Sequence, residues 1–101
     1  MHRQQYESQL ERKHREIAVN AGWFCDKIMR TSLNSFPDRF YARQGRIVLI
    51  EWKRPGQPVS KQQALRHDQL RAAGVEVYVV RSVEEANEIL KLRDDQLQFD
   101  L

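Results

Sequence analysis

The sequence predicts an α/β domain in which a mixed sheet is flanked by helices, in the order α-β-β-β-α-β-α. Apolar residues recur at helical spacing near the N-terminus, and short β-branched or aromatic runs alternate with turn residues further along. Two serines stand where the last two helices are expected to begin. With 101 residues, the chain is expected to form one domain over 1–101, with a core at about 7–92 and an acidic tail at 93–101.

The N-terminal half predicts one helix and three strands. One helical face carries Tyr6, Leu10, His14, Ile17 and Ala21, and Gly22 ends that helix. Strands are predicted over residues 23–29, 38–43 and 46–53. Because Gln44-Gly45 is typical of a tight turn, the second and third strands are expected to form a hairpin.

The C-terminal half predicts two helices around a strand. Ser60 is a good N-cap for a helix that ends at Gly74, and residues 75–80 form a strongly β-branched strand. Ser82 is expected to cap a last helix that runs to about Leu92.

Composition excludes several classes of protein. Hydrophobic residues make up 41% and charged residues 31%, which is typical of an ordered globular domain. No apolar run approaches the ~20 residues that span a membrane, and the polar N-terminus does not resemble a secretory signal. The single cysteine, Cys25, provides neither a disulfide framework nor a zinc cluster, so we expect a reducing, cytoplasmic setting.

Charge is unevenly distributed along the chain. Residues 1–81 carry 15 Lys and Arg against 8 Asp and Glu, whereas residues 82–101 carry 2 against 6. A basic body of net +7 fits a phosphate-rich partner, and a solvated basic surface is the alternative.

The third predicted strand ends in two opposite charges. Glu51 and Lys53 alternate with Trp52, so they share one face of the strand. In the predicted hairpin, Asp38 at the start of the second strand lies beside Glu51. Two neighbouring carboxylates favour a divalent cation such as Mg²⁺, and a lysine beside it can stabilise a phosphate or orient a water.

The pattern of Pro37-Asp38 followed by Glu51-x-Lys53 resembles the PD-(D/E)XK nuclease signature. The wider stretch from residue 36 to residue 82 resembles the VRR-NUC domain, the virus-type replication-repair nuclease. Further pieces that resemble this family are Ser60-x-x-Gln63, Leu70-x-x-x-Gly74 and Val77-x-Val79-Val80-x-Ser82. Phe36 departs from the glycine that the family often has before the proline.

The resemblance implies a restriction-endonuclease-like fold and a metal-dependent active site. It implies that Asp38, Glu51 and the Trp52 carbonyl bind Mg²⁺ or Mn²⁺, and that Lys53 is the catalytic lysine. Gln63 is expected near the metal or the scissile phosphate. An upstream helical glutamate usually completes such a site; Glu11 is the first candidate, with Glu7 and Glu16 as alternatives.

The function that the resemblance implies is endonucleolytic cleavage of DNA. We expect a structure-specific enzyme that cuts branched DNA, such as Holliday junctions, as a homodimer. Arg39, Arg54 and Lys61 are candidate phosphate contacts. The alternative is a basic module of the same fold that binds DNA without cutting it.

Other polar or aromatic residues are interpreted as structural. His67 is expected at the surface, His14 and Cys25 in packing positions, and Trp23, Trp52 and Tyr78 in the core or an interface.

Overall fold

A computed structural model describes residues 3–29 and 31–92, with the backbone alone for residues 3–8. In chain order, the described elements are α1 (Arg3–Asn20), β1 (Phe24–Lys27), β2 (Arg39–Arg43), β3 (Arg46–Trp52), α2 (Lys61–Ala72), β4 (Glu76–Val80) and α3 (Val83–Ile89). The predicted fold class and element order are confirmed. The predicted acidic tail and the Glu7 side chain lie outside the described residues.

The four described strands form one mixed sheet in the order β1-β2-β3-β4. The first two pairings are antiparallel, and β3 pairs with β4 in parallel. The parallel pairing needs a crossover, which α2 supplies. The strands end within two residues of the predicted bounds, and the largest difference is that β1 stops at Lys27 rather than at residue 29.

The β2–β3 hairpin turns through the predicted two residues. Gln44 and Gly45 both have positive φ, +50° and +83°, between the paired residues Arg43 and Arg46. Positive φ at both central positions defines a type I′ turn, whose twist matches that of the flanking strands. This turn fixes the register of β2 against β3, and therefore which residues meet at the far end of the hairpin.

The core lies on the face of the sheet that packs against α1 and α3. It joins Tyr41, Ile50 and Trp52 of the sheet to Ala18 of α1 and Ala86 of α3. Trp52 is fully buried, and its Nε1–H donates to the Tyr41 hydroxyl at 3.2 Å, so its polar atom is satisfied.

His14 is part of this same packing. Its ring lies 5.6 Å from that of Tyr41 and 5.4 Å from that of Trp52, measured between centroids. Burial lowers the pKa of His14 to about 4, so the imidazole is neutral. The packing predictions for His14, Trp52, Trp23 and Cys25 are confirmed, because all four side chains are buried.

Gly22 ends α1 and lets the chain turn into the sheet. Its φ is +96°, the N–H of Gly22 donates to Val19, and that of Trp23 donates to Ala18. These bonds form a Schellman motif, which satisfies carbonyls that the helix leaves open. A Cβ at Gly22 would also lie 3.0 Å from the Arg43 Nε.

None of the described helices has the length and apolar character required to cross a membrane.

Candidate active site

The hairpin brings Asp38 and Glu51 to the same end of the sheet. Arg39 is the register partner of Ile50, so the next pair outward is Asp38 with Glu51. The Asp38 Oδ2 also accepts the backbone N–H of Trp52 at 2.8 Å, which ties the start of β2 to the end of β3. The two carboxylates are therefore cross-strand neighbours, as predicted.

The two faces of β3 have different surroundings. Ile50 and Trp52 enter the core beneath α1, whereas Glu51 lies on the opposite face, against α2. Glu51 is only 2% exposed, and Lys53, on the same side two residues later, is 6% exposed. The Lys53 backbone N–H donates to the Val80 carbonyl at 2.9 Å, so the chain stays attached to β4 beyond the last residue of β3.

Helix α2 contacts both oxygens of the Glu51 carboxylate. The Gln63 Nε2 lies 3.4 Å from Oε2, and the His67 Nε2 lies 3.4 Å from Oε1. Gln63 and His67 are four residues apart, so they project from one side of the helix. Gln63 is therefore a neighbour of Glu51, and its expected place near a metal or the scissile phosphate stays a prediction.

The start of α2 fixes the orientation of the Gln63 amide. Its Oε1 accepts the Ser60 backbone N–H at 3.0 Å, and its own backbone N–H donates to the Ser60 Oγ at 3.0 Å. This reciprocal arrangement is a capping box. Because Oε1 is engaged at the cap, the NH₂ group is the end of the amide that is directed to Glu51. The Ser60-x-x-Gln63 pattern therefore both begins the helix and supplies a donor to the site.

The prediction that His67 is a surface residue is wrong. His67 is 1% exposed, because it lies on the side of α2 that packs against the sheet. Burial is the largest cause that lowers the pKa of His67; Arg71 and Lys53 lower it further, while Asp38 and Asp68 oppose them. The imidazole is therefore neutral near pH 7. Its spacing of four from Gln63 is the sequence signal that could have identified its position.

Glu11 approaches the site from the other face of the sheet. It is buried, and its Oε2 lies 3.4 Å from the Arg39 Nη2. Burial raises the pKa of Glu11, and the nearby charge of Asp38 raises it further, while Arg39 and Lys27 lower it. Glu11 is therefore close enough to Asp38 to feel its charge, but its carboxylate pairs with Arg39. Glu16 is exposed.

Arg39 does not have the surface position that a contact to DNA requires. It is 4% exposed, because it shares the core-facing side of β2 with Tyr41. Besides Glu11, its guanidinium donates to the Cys25 Sγ at 3.6 Å. The predicted phosphate contact is therefore replaced by a buried pair. The other two candidates, Arg54 and Lys61, are exposed.

A basic cleft that sequence reasoning missed lies beside Arg39. It has a volume of about 280 Å³ and is lined by Arg12, Arg15, Asp26, Lys27 and Arg39. The N–H of Ile28, next to this cleft along the chain, donates to the Asp38 carbonyl at 2.8 Å. The fold thus brings the cationic side chains of α1 and β1 near the acidic end of the hairpin. Because these elements are far apart in the sequence, the sequence does not reveal this proximity.

The donors at the site suit a hard divalent cation. Within the described part of the chain, no group of three or more His, Cys, Asp or Glu side chains forms a ready metal cluster. Mg²⁺, however, is commonly bound through one or two carboxylates together with waters and substrate phosphates. Asp38, Glu51 and the carbonyl of Trp52 would supply an oxygen-only set of that kind.

Comparison with known proteins confirms the family that the sequence resembles. The profile of the VRR-NUC domain matches residues 3–84. A solved structure described as a VRR_NUC domain superposes with a TM-score of 0.76 at 20% sequence identity, covering 86% of this chain and 96% of that one. A sequence comparison with curated proteins gave no significant match.

Proposed function

The chain belongs to the VRR-NUC family of nuclease domains, and we propose that it is a Mg²⁺- or Mn²⁺-dependent endonuclease that hydrolyses DNA phosphodiester bonds. One observation supports this proposal more strongly than any other. Asp38, Glu51 and Lys53 come from two strands to one end of the sheet, on the face beneath α2. Glu51 and Lys53 are buried; burial of two ionisable side chains is costly, and a catalytic centre explains their retention.

In this proposal, Asp38, Glu51 and the carbonyl of Trp52 would hold the cation. When bound, a divalent cation neutralises phosphate charge and lowers the pKa of a coordinated water. Glu11 would join the set only if its carboxylate exchanged Arg39 for the cation.

In this proposal, Lys53 acts on the phosphate and Gln63 acts on Glu51. The oxygen of a water bonds to phosphorus as that water gives up a proton to solvent, the bond from phosphorus to the leaving sugar oxygen breaks, and that oxygen takes up a proton. The Lys53 ammonium has donors and no acceptor, so its part is to stabilise negative charge on the phosphate in the transition state. Gln63 keeps Glu51 in place through its amide NH₂.

We further propose that the substrate is branched DNA and that the enzyme is a homodimer, with two sites for two equivalent strands. Apolar side chains on the α2 side of the sheet support the dimer. Phe24, Ala42 and Ile47 form one cross-strand row, in which Phe24 and Ile47 are exposed. Phe40 lies in the next row, and its ring is 5.7 Å from that of Phe24. These rows lead along the same face to Asp38 and Glu51.

The cleavage proposal is tested with labelled duplex, nicked, flap and four-way DNA in Mg²⁺, Mn²⁺ or EDTA. We expect the wild type to cut four-way DNA fastest, Lys53→Ala to cut none, and EDTA to stop cleavage. Binding without cutting in either metal would instead identify a non-cleaving module.

The dimer is tested by sedimentation at the concentration used for cleavage. We expect a dimer for the wild type and a monomer for Phe24→Asp. Val19→Asp, a matched change at an exposed apolar residue of α1, should leave the dimer intact. A monomeric wild type would refute the dimer without affecting the cleavage proposal.

A further inference from the structure

His67 is a buried polar residue whose position the cleavage proposal does not explain. It is 1% exposed on α2, and its Nε2 lies 3.4 Å from the Glu51 Oε1. An apolar side chain could fill this space without the cost of burying an imidazole. The presence of an imidazole at this position therefore needs a reason that involves a polar interaction.

The contact with Glu51 supplies that reason and selects one tautomer. An ionised carboxylate only accepts hydrogen bonds, so the imidazole nitrogen that faces it must carry the proton. The 3.4 Å contact is therefore a hydrogen bond to the carboxylate only when Nε2 carries the proton. The Gln63 amide donates to the other oxygen of the same carboxylate, so α2 provides one donor for each oxygen.

We propose that His67 is a positioning residue that, together with Gln63, fixes the orientation of the Glu51 carboxylate for cation binding. This inference rests on the proposed function. A carboxylate offers about four lone-pair positions, so two hydrogen bonds from α2 are compatible with a bound cation. Fixing the carboxylate beforehand reduces the ordering that binding requires. Partners of this kind typically change metal affinity about 10- to 100-fold when they are removed.

The capping box fixes one donor, and the packing of α2 positions both. Ser60 holds the Gln63 amide at the first turn of α2, and His67 follows one turn later on the same helix. Because α2 packs against β4, which pairs with β3 beside Glu51, the two donors keep a constant position relative to the carboxylate.

The first test reads the tautomer in the metal-free wild type and needs no variant. Long-range ¹H–¹⁵N correlation spectra at neutral pH distinguish a proton on Nε2 from one on Nδ1. We expect the Nε2–H form for His67. The Nδ1–H form would overturn the positioning role, even if the enzyme cuts DNA.

The second test measures Mn²⁺ affinity by calorimetry in the absence of DNA. We expect His67→Leu to bind Mn²⁺ about 10-fold more weakly than the wild type, and His67→Gln, which keeps a donor, to recover most of that loss. Gln69→Leu, on the exposed side of α2, should bind as the wild type does.

The outcomes separate this inference from the proposed function. If the wild type binds Mn²⁺ and cuts DNA while His67→Leu binds equally well, the positioning role is wrong and the nuclease stands. If the wild type neither binds Mn²⁺ nor cuts, both proposals fail. A loss of folding in His67→Leu would show in its thermal unfolding. In that case, the Mn²⁺ affinity of His67→Gln and the tautomer in the wild-type spectrum would test the positioning role.

Discussion

The two ends of the β2–β3 hairpin carry charge in opposite ways. At the turn end, Arg46 binds Glu76 through two short hydrogen bonds of 2.9 and 2.8 Å, and both side chains remain partly exposed. At the other end, Glu51 and Lys53 are buried, and the contacts from α2 to Glu51 are 3.4 Å long.

We interpret this difference as a difference in role between the two ends. A well-paired surface charge costs little and contributes little to stability. Buried charges cost stability unless their partners are close, so a sequence retains them where chemistry requires them. The turn end sets the register, and the buried end uses that register to assemble a site.

The largest expected effect comes from replacing the buried ammonium. Lys53→Met should lower the cleavage rate by at least about 10²- to 10³-fold, because charge on the phosphate loses its stabilising donor. The same change should raise the free energy of unfolding by about 1 kcal/mol, because it removes a buried charge. Cleavage assays and urea unfolding measure the two quantities.

Lys13→Met is the matched control, since Lys13 is exposed on α1. It should change neither quantity. Equal activity of Lys53→Met and Lys13→Met would show that the buried end has no catalytic role.

The next prediction compares the loss of a buried arginine with the loss of an exposed one. Arg39→Met should lower the free energy of unfolding by about 3 kcal/mol, because it leaves Glu11 buried without its cation. Arg54→Met should leave unfolding unchanged but weaken DNA binding and reduce its salt dependence by about one charge. Urea unfolding and salt titrations of binding check both. The reverse pattern would contradict the assignment of Arg39 to the interior.

A smaller effect comes from the helix caps. The Ser60 and Ser82 hydroxyls each accept the backbone N–H three residues later, so each change to alanine should cost about 1 kcal/mol of unfolding free energy. Neither change removes the Ser60 backbone N–H that orients the Gln63 amide, so both variants should cleave DNA as fast as the wild type does. Slower cleavage by Ser60→Ala than by Ser82→Ala would contradict this and show that the Ser60 hydroxyl also supports the site.

Much of this arrangement could be predicted from local patterns. The turn residues and the alternation along β3 set the register, which places Asp38 beside Glu51 and Lys53 on the same face. Ser60 was predicted as the N-cap of α2, whereas the place of Gln63 at the site was implied only by the resemblance to the VRR-NUC family. The positions of Arg39 and His67 could not be predicted in this way, because each depends on which side of an element a neighbouring helix covers. Burial of Arg39 follows from the packing of α1, and burial of His67 follows from the packing of α2.

The smallest effect belongs to the exposed pair at the turn end. Hydrogen bonding from Arg46 is the main cause that lowers the pKa of Glu76 from 4.5 to about 2. A depressed carboxylate pKa contributes stability that is present above pH 4.5 and is lost as the pH falls through about 2. Because the pair is partly exposed, Glu76→Gln should cost less than about 1 kcal/mol at pH 7. Urea unfolding should show that the difference in unfolding free energy between the wild type and Glu76→Gln shrinks as the pH falls below 4.5. A difference that stays constant with pH would contradict this prediction.

The most direct test of the site is the position of a metal ion. Crystals soaked in Mn²⁺ give an anomalous signal that locates the ion independently of activity. We predict a peak coordinated by Asp38, Glu51 and the carbonyl of Trp52, and its loss in Asp38→Asn. A fully occupied Mn²⁺ site elsewhere, with none at this end of the hairpin, would contradict the proposed active site.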